Sequence, residues 1–458
     1  MSSTIPRVAD AMRHVLTDVA NEAAKKSGFV RRQRKLDGAS FVQSLLFGWL
    51  ANPQASGEER AQVAAARGVQ ISAYGLDKRL TKRAAECLRL VLEAAVGQAV
   101  VAADPAAVPI LRRFEGVYVY DGSVVSLPEA LREEWPGLGG NGPDVGAAAL
   151  KIGVRLDLLG GELYGPVLGA GREHDRRLPL KAEALPAGAL RLADLGFFDL
   201  ELLRSVGERG GYWLSRLKGA TVVRGATNPT SEGRLDLLAL LGELTPGATL
   251  ELEVLVGDQA RLPARLLAKR VPKAVARERR RKLRLDAKRR QQPAVSEARL
   301  ALAEYTLLVT DAPAELLAAE EAFVLMRARW QVEKLFDLWK RYGRLEETRS
   351  KKPFRVLCEV FAKLLGLLVQ HWIFLSSAAF WADPYRSLAK AGRTVRQRAL
   401  ALADALDEPA LLSGVLKTIA GCLAAGCRVA KRRKEPGTAQ QLLALTTDVA
   451  GEEAAIAA

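Results

Sequence analysis

The sequence predicts an α+β fold in which a mixed sheet is flanked by helical regions at both ends of the chain. Three observations predict it. Residues 1–105 and 351–458 carry apolar residues at helical spacing. Between residues 112 and 350, short alternating runs rich in Val, Tyr and Leu are separated by turn signals. From about residue 219 to 303 this middle region is interrupted by an insertion with its own alternating strand and a strongly basic segment.

In the N-terminal region, Phe41 to Gly48 has helical apolar spacing, with a glycine where the helix can stop. Ser56 is placed to cap a helix from Gly57 to Arg67, with Glu58 and Glu59 in its favoured first turn. Gly68-Val69-Gln70 makes a short turn, and Ser72 starts a helix carrying Lys78, Arg79, Lys82 and Arg83. Helix, glycine turn and basic helix is the outline of a helix-turn-helix. Residues 1–105 are therefore read as a DNA-binding domain with Lys78 and Arg79 on its DNA-facing side. A plain helical bundle with a solvated basic face has the same pattern.

The middle region begins with the alternating Val117-Tyr118-Val119-Tyr120, which leads into Asp121-Gly122-Ser123. Ile152 to Leu158 is a second strand reaching Gly160-Gly161, a two-residue hairpin signal, and Glu162 to Val167 returns as a third. A helical stretch follows near Leu178 to Leu185. Leu190 to Ala193 is a short strand ending at Asp194-Leu195-Gly196. Asp199 to Val206 is helical, and Tyr212 to Leu217 is a further strand. Three antiparallel strands, then alternating helix and strand, is the order of an RNase H-like fold. Within the insertion, Leu250 to Val256 alternates as a strand. Lys269 to Arg290 then holds twelve Lys or Arg against two acids. Tyr305 to Thr310 resumes the strands. From Lys351 the chain reads as helices, including Pro353 to Phe380 and Tyr385 to Leu406, and is taken as a dimerisation region. Its last ten residues are expected to be loose.

Composition narrows the partners. The formal net charge of +16 on 458 residues points to a polyanion, with nucleic acid ahead of a membrane surface. Four scattered cysteines and three histidines exclude a disulfide framework and a Cys/His metal centre. The most apolar run, Leu364 to Leu375, is short of the ~18 residues of a membrane span and is broken by Gln370 and His371. It reads as a buried helix. The opening residues have no signal-peptide pattern, so a cytoplasmic protein without a membrane span is expected.

The segment Arg327 to Lys340 lacks Gly and Pro and reads as helix. At roughly 100° per residue, Arg329, Glu333 and Lys340 share one stripe, an acid between two bases. A solvated i,i+4 Arg–Glu pair is the plain alternative. The spacing resembles the IS4 family of DDE transposases, whose helix carries Tyr, two residues, Arg, three residues, Glu, six residues and Lys. Met326 stands where the family has Tyr, a departure. The surroundings of Lys151, His174 and Arg216-Leu217-Lys218 also look like the family.

The resemblance implies a DNA transposase that cleaves at element ends and joins them to target DNA. It implies catalytic, metal-holding acids at Asp121, Asp194 and Glu333, which occupy the family's places on the first strand, after the fourth, and on a later helix. They would hold two Mg²⁺ or Mn²⁺ ions about 3.5–4 Å apart. Asp175 and Asp199 are the main rivals for the second acid, and Asp157 and Asp311 are weaker ones. Arg329 and Lys340 are implied to hold DNA phosphates, and the enzyme to work as a homodimer on double-stranded DNA. The basic segment, with Arg279, Arg280, Arg281 and Lys282, suits sequence-independent backbone contact. Trp213, Trp330, Trp339 and Trp372 are either core or a platform for an extruded base. A non-catalytic DNA-binding protein and an RNase H-like nuclease without strand transfer are the competing functions.

Overall fold

The computed structural model describes residues 4–32, 36–138, 148–181, 185–226, 233–289, 291–430, 434 and 436–445. Among the described residues six α-helices come first: α1 (Thr4–Arg13), α2 (Ala20–Lys26), which a π-helical stretch, His14–Val19, joins to α1, α3 (Gly38–Ala51), α4 (Gly57–Ala66), α5 (Ala73–Asp77) and α6 (Lys82–Val96). Then come β1 (Val117–Leu127), β2 (Ala148–Asp157), β3 (Leu163–Ala170), β4 (Leu190–Ala193), α7 (Leu200–Glu208) and β5 (Tyr212–Arg216). The next stretch holds β6 (Val223–Gly225), α8 (Leu237–Gly242), β7 (Thr249–Val256), β8 (Leu262–Arg270), α9 (Lys273–Arg289) and α10 (Glu297–Leu302). After β9 (Tyr305–Thr310) the chain is helical. These helices are α11 (Ala319–Ala328), α12 (Trp330–Asp337), α13 (Pro353–Leu375), α14 (Ala378–Ala382), α15 (Leu388–Gln397), α16 (Ala399–Ala405) and α17 (Pro409–Gly426).

The chain forms two compact units, which do not follow the three consecutive domains expected at 1–105, 112–350 and 351–458. The first comprises residues 1–108, 120–180 and 330–439, and the second residues 109–119, 181–329 and 440–458. The two terminal helical regions share a unit because α13 is mostly apolar and is buried from Val356 to Leu375. It packs on both α3 and α6, and only burial on all faces satisfies such a helix.

In the first unit the capping box on Ser56 and Glu59 forms as its residues predict. Gly48, expected to end α3, does not. The helix runs on to Ala51, and Gly48 instead admits Arg60, since a Cβ there would lie 2.8 Å from Arg60 Cγ. The basic helix expected from Ser72 is cut in two, with Ser72 capping α5 and Thr81 capping α6. Lys78 and Arg79 therefore sit in the turn between the two helices. The helix expected from Tyr385 to Leu406 is likewise two helices, broken at Arg398. Helices α13 and α17 are long and apolar enough to cross a membrane. The apolar window of α13 is wholly buried in the protein, and that of α17 is mostly exposed.

The strands of the first unit run in the order β3-β2-β1, with β2 and β3 antiparallel. Their connection is longer than the two-residue turn expected. Leu156 pairs with Leu163, and the Asp157 N–H donates to Glu162 O. Leu158–Gly161 form the turn. Its backbone is held by the Asp157 carboxylate, which accepts from Leu159 N and Gly160 N.

In the second unit the order is β1-β4-β5-β9-β8-β7-β6, with β4 and β5 parallel and β5 and β9 antiparallel. Strand β1 passes from this unit into the first after Val119. The orders 3-2-1 and 1-4-5 are those of an RNase H-like fold, as expected. The insertion extends the sheet rather than merely interrupting it, because β8 pairs along β9 and carries β7 and β6 outward. Trp213, Leu266, Val309, Val256 and Leu203 form the core here. The helix expected near Leu178 to Leu185 is instead a pair of short 3₁₀ turns, Asp175–Arg177 and Pro179–Lys181. Residues 182–184 and the last ten residues lie outside those described.

Asp311, just past β9, accepts the Trp213 N–H at 2.7 Å, and burial pushes its carboxyl up to about 7. A carboxyl whose folded pKa is raised favours the native state while protonated. Its contribution is lost as pH rises from the unfolded value near 4 through the folded one. Asp311→Asn removes this titration. Thermal melts from pH 5 to pH 8 are expected to show a fall in the wild-type Tm that is flattened in the variant. Equal slopes would mean that Asp311 does not titrate in this range.

Candidate active site

Asp121 lies on β1 in the first unit and is half-buried, with its Oδ1 accepting the Gly122 N–H at 2.9 Å. Glu333 lies in the first turn of α12 in the same unit, also half-buried. Lys340 sits past the end of α12, where the helix widens into a π-turn over Leu338–Tyr342. Its ammonium donates to Val124 O at 3.1 Å and pairs with Glu346 at 2.6 Å. Val124 is on the strand of Asp121. Lys340 thus ties the segment that carries Glu333 to the strand that carries Asp121.

Asp194 belongs to the second unit. It follows β4 and caps the turn Leu195–Phe197, with Oδ1 accepting Leu195 N at 2.8 Å. Its Oδ2 is 3.6 Å from the Arg329 guanidinium. Arg329 lies between α11 and α12 and is only 5% exposed. That burial rejects the solvated i,i+4 pair and sets Arg329 on a carboxylate. Met326, at the family's Tyr position, is buried too.

The rival acids divide by what they hold. Asp199 caps α7, Asp157 holds the β2–β3 turn and Asp311 holds Trp213 N. These are backbone-capping roles. Asp175 differs. It pairs with Lys151 at 2.9 Å and packs against Gly122, next to Asp121. No local pattern points to the Lys151–Asp175 pair, because it joins residues far apart in sequence. Carboxylates are the hard oxygen donors that Mg²⁺ takes, and Asp121, Asp194 and Glu333 are each donors of that kind. Among the described residues, no three His, Cys, Asp or Glu side chains are gathered closely enough to hold one.

The basic residues behave in two ways. Arg279 is turned inward, donating to Tyr305 O and Thr306 Oγ1, both at 3.0 Å, and burial lowers its pKa. Arg280 donates to Leu300 O and pairs with Glu304. Arg281 and Lys282 stay on the surface beside Glu278. Arg290 is outside the described residues. Lys78 and Arg79, by contrast, line an open cleft with Arg31, Arg32 and Arg83. Lys78 rests over the Tyr74 ring at 4.4 Å. Of the four tryptophans, Trp213, Trp339 and Trp372 are buried, while Trp330 is 56% exposed.

The chain belongs to the transposase DDE domain family. The family's model matches residues 112–369, over half of the chain and all three acid positions. Relatives extend the likeness further. The transposase for insertion sequence element IS231F of Bacillus thuringiensis subsp. israelensis is 27% identical over 381 residues, covering 80% of this chain and 79% of the relative. The transposase for IS231B, from subsp. berliner, is 28% identical over 375 residues, or 78% and 77% of the two chains. The transposase for IS1151 of Clostridium perfringens is 22% identical over 378 residues, 78% of each.

The inward turn of Arg279 and Arg280 separates them from their neighbours. Arg279→Met and Arg280→Met are each expected to cost about 1.5–3 kcal/mol, the range for hydrogen bonds made by charged groups. Arg281→Gln and Lys282→Gln should leave the urea midpoint unchanged. Equal midpoints for all four would show that the inward hydrogen bonds contribute nothing.

Proposed function

We propose that the chain is an insertion-sequence transposase that cuts DNA at element ends and joins the ends to a target by DDE chemistry. The match of the transposase DDE domain over Asp121, Asp194 and Glu333 carries this reading. These three carboxylates would hold two Mg²⁺ or Mn²⁺ ions. Such ions, when bound, activate the attacking water or 3′-hydroxyl and stabilise the leaving oxygen.

The chain's own residues position the parts. Arg329 orients Asp194 through their ion pair, and Lys340 fixes the Asp121 strand against the Glu333 segment. Trp330 offers an exposed ring on which an unpaired base can stack. The Arg31, Arg32, Lys78, Arg79 and Arg83 cleft takes duplex phosphates, as do Arg281 and Lys282 on the outer face of α9. Arg329 and Lys340 would touch the backbone only where their protein partners leave a donor over. We further propose that the enzyme acts as a homodimer on two ends, in the bacterial cytoplasm.

The test uses duplexes that contain the terminal repeats flanking the gene. Metal-dependent nicking and joined products are expected from the wild type. Asp121→Ala, Asp194→Ala and Glu333→Ala should each reduce both to background while end-DNA affinity is kept. Full activity in any one variant removes that residue from the site. Nicking without joined products makes the protein a nuclease. Neutralising Lys78, Arg79, Arg281 and Lys282 together should flatten the log–log salt dependence of binding by about 0.9 for each phosphate that is no longer neutralised. An unchanged slope means these residues do not meet DNA.

A further inference from the structure

We propose that Lys151 and Asp175 are positioning residues for Asp121, acting through the backbone of Gly122. This rests on the proposed function, because it concerns the strand that carries the first acid. Lys151 is on β2, which lies between β3 and β1 in the first unit. It is only 8% exposed, and its ammonium donates to Glu173 O and, at 2.9 Å, to Asp175 Oδ1. A buried ammonium needs such partners, since an unpaired one is strongly disfavoured.

Asp175 opens the short turn Asp175–Arg177 beyond β3, and its carboxylate is pressed onto β1. A Cβ added at Gly122 would lie 2.9 Å from Asp175 Oδ1 and 3.7 Å from Ile152 O. A Cβ there would push the Asp175 carboxylate aside, so glycine at this position lets the carboxylate come so close. Gly122 is also the residue whose N–H donates to Asp121 Oδ1. The line therefore runs from Lys151 to Asp175, to the Gly122 backbone, to the Asp121 carboxylate.

Two consequences follow. Asp175 fixes the peptide that orients Asp121. Lys151 offsets the negative charge that Asp175 brings beside Asp121, so the second carboxylate can pack there without repelling the first. Neither residue is assigned contact with DNA or with a metal ion.

The experiment uses the full chain with a duplex containing an element end. It compares wild type, Lys151→Met, Lys151→Arg, Asp175→Asn and Gly122→Ala. Four quantities are read: Mn²⁺ bound by the protein–DNA complex, from the free-ion electron paramagnetic resonance signal; the single-turnover cleavage rate; end-DNA affinity; and Tm. Lys151→Met, Asp175→Asn and Gly122→Ala are each expected to weaken Mn²⁺ binding by about 10-fold or more, the usual size of an outer-sphere effect. Cleavage at limiting Mn²⁺ should slow in parallel, with DNA affinity kept. Lys151→Arg keeps the charge and should retain Mn²⁺ binding. Unchanged Mn²⁺ binding in the three variants overturns the proposal, as does a loss that only tracks a fall in Tm or DNA affinity. A wild type that cleaves, with variants that match it, sinks this inference alone. A wild type that neither binds Mn²⁺ nor cleaves sinks the transposase reading, and this inference with it.

Discussion

The buried guanidinium of Arg329 is the constraint on which the second unit's acid depends. A cation almost out of water must keep an anion beside it, and Asp194 is such an anion. Removing one partner of a fully buried pair costs about 3–5 kcal/mol. The cost here is smaller, because the Asp194 side chain is 37% exposed. Arg329 and the Leu195 N–H hold the Asp194 carboxylate while part of it stays exposed.

Lys340 has the complementary task in the first unit. A regular helix would keep it on the stripe of Glu333. The π-turn at Leu338–Tyr342 widens the spiral there, and the ammonium meets Val124 O and Glu346. The two bases flanking Glu333 thus both have partners inside the protein. The resemblance implies phosphate contacts for them, while the structure gives each an intramolecular task first.

What was legible in the sequence is what is decided locally. Alternation placed β1, β4, β5 and β9, and an Asp at the end of a strand held nearby backbone N–H groups, at Asp194 as at Asp157. The Ser56–Glu59 box formed because both partners lie within one turn. The misses are non-local. β8 escaped notice because Ala264 to Ala268 is buried on both faces and shows no alternation. Arg279 and Arg280 sit in a charge run that reads as solvated, yet Tyr305 O, Leu300 O and Glu304 were waiting for them on neighbouring elements. Gly48 is helix interior because Arg60 needs the space, and no pattern within α3 announces that. Asp175 became informative only when sheet order set Lys151 and Gly122 on neighbouring strands.

The most direct measurement is on Arg329. If it serves Asp194, Arg329→Met should raise the Mg²⁺ concentration needed for half-maximal cleavage of an end-containing duplex, and lower Tm, while DNA affinity holds. Arg329→Lys should fall between the two, because a lysine keeps the charge without the planar fork. If instead Arg329→Met loses DNA affinity while its Mg²⁺ midpoint and Tm match the wild type, Arg329 is a phosphate clamp, and the pairing with Asp194 does not organise the site.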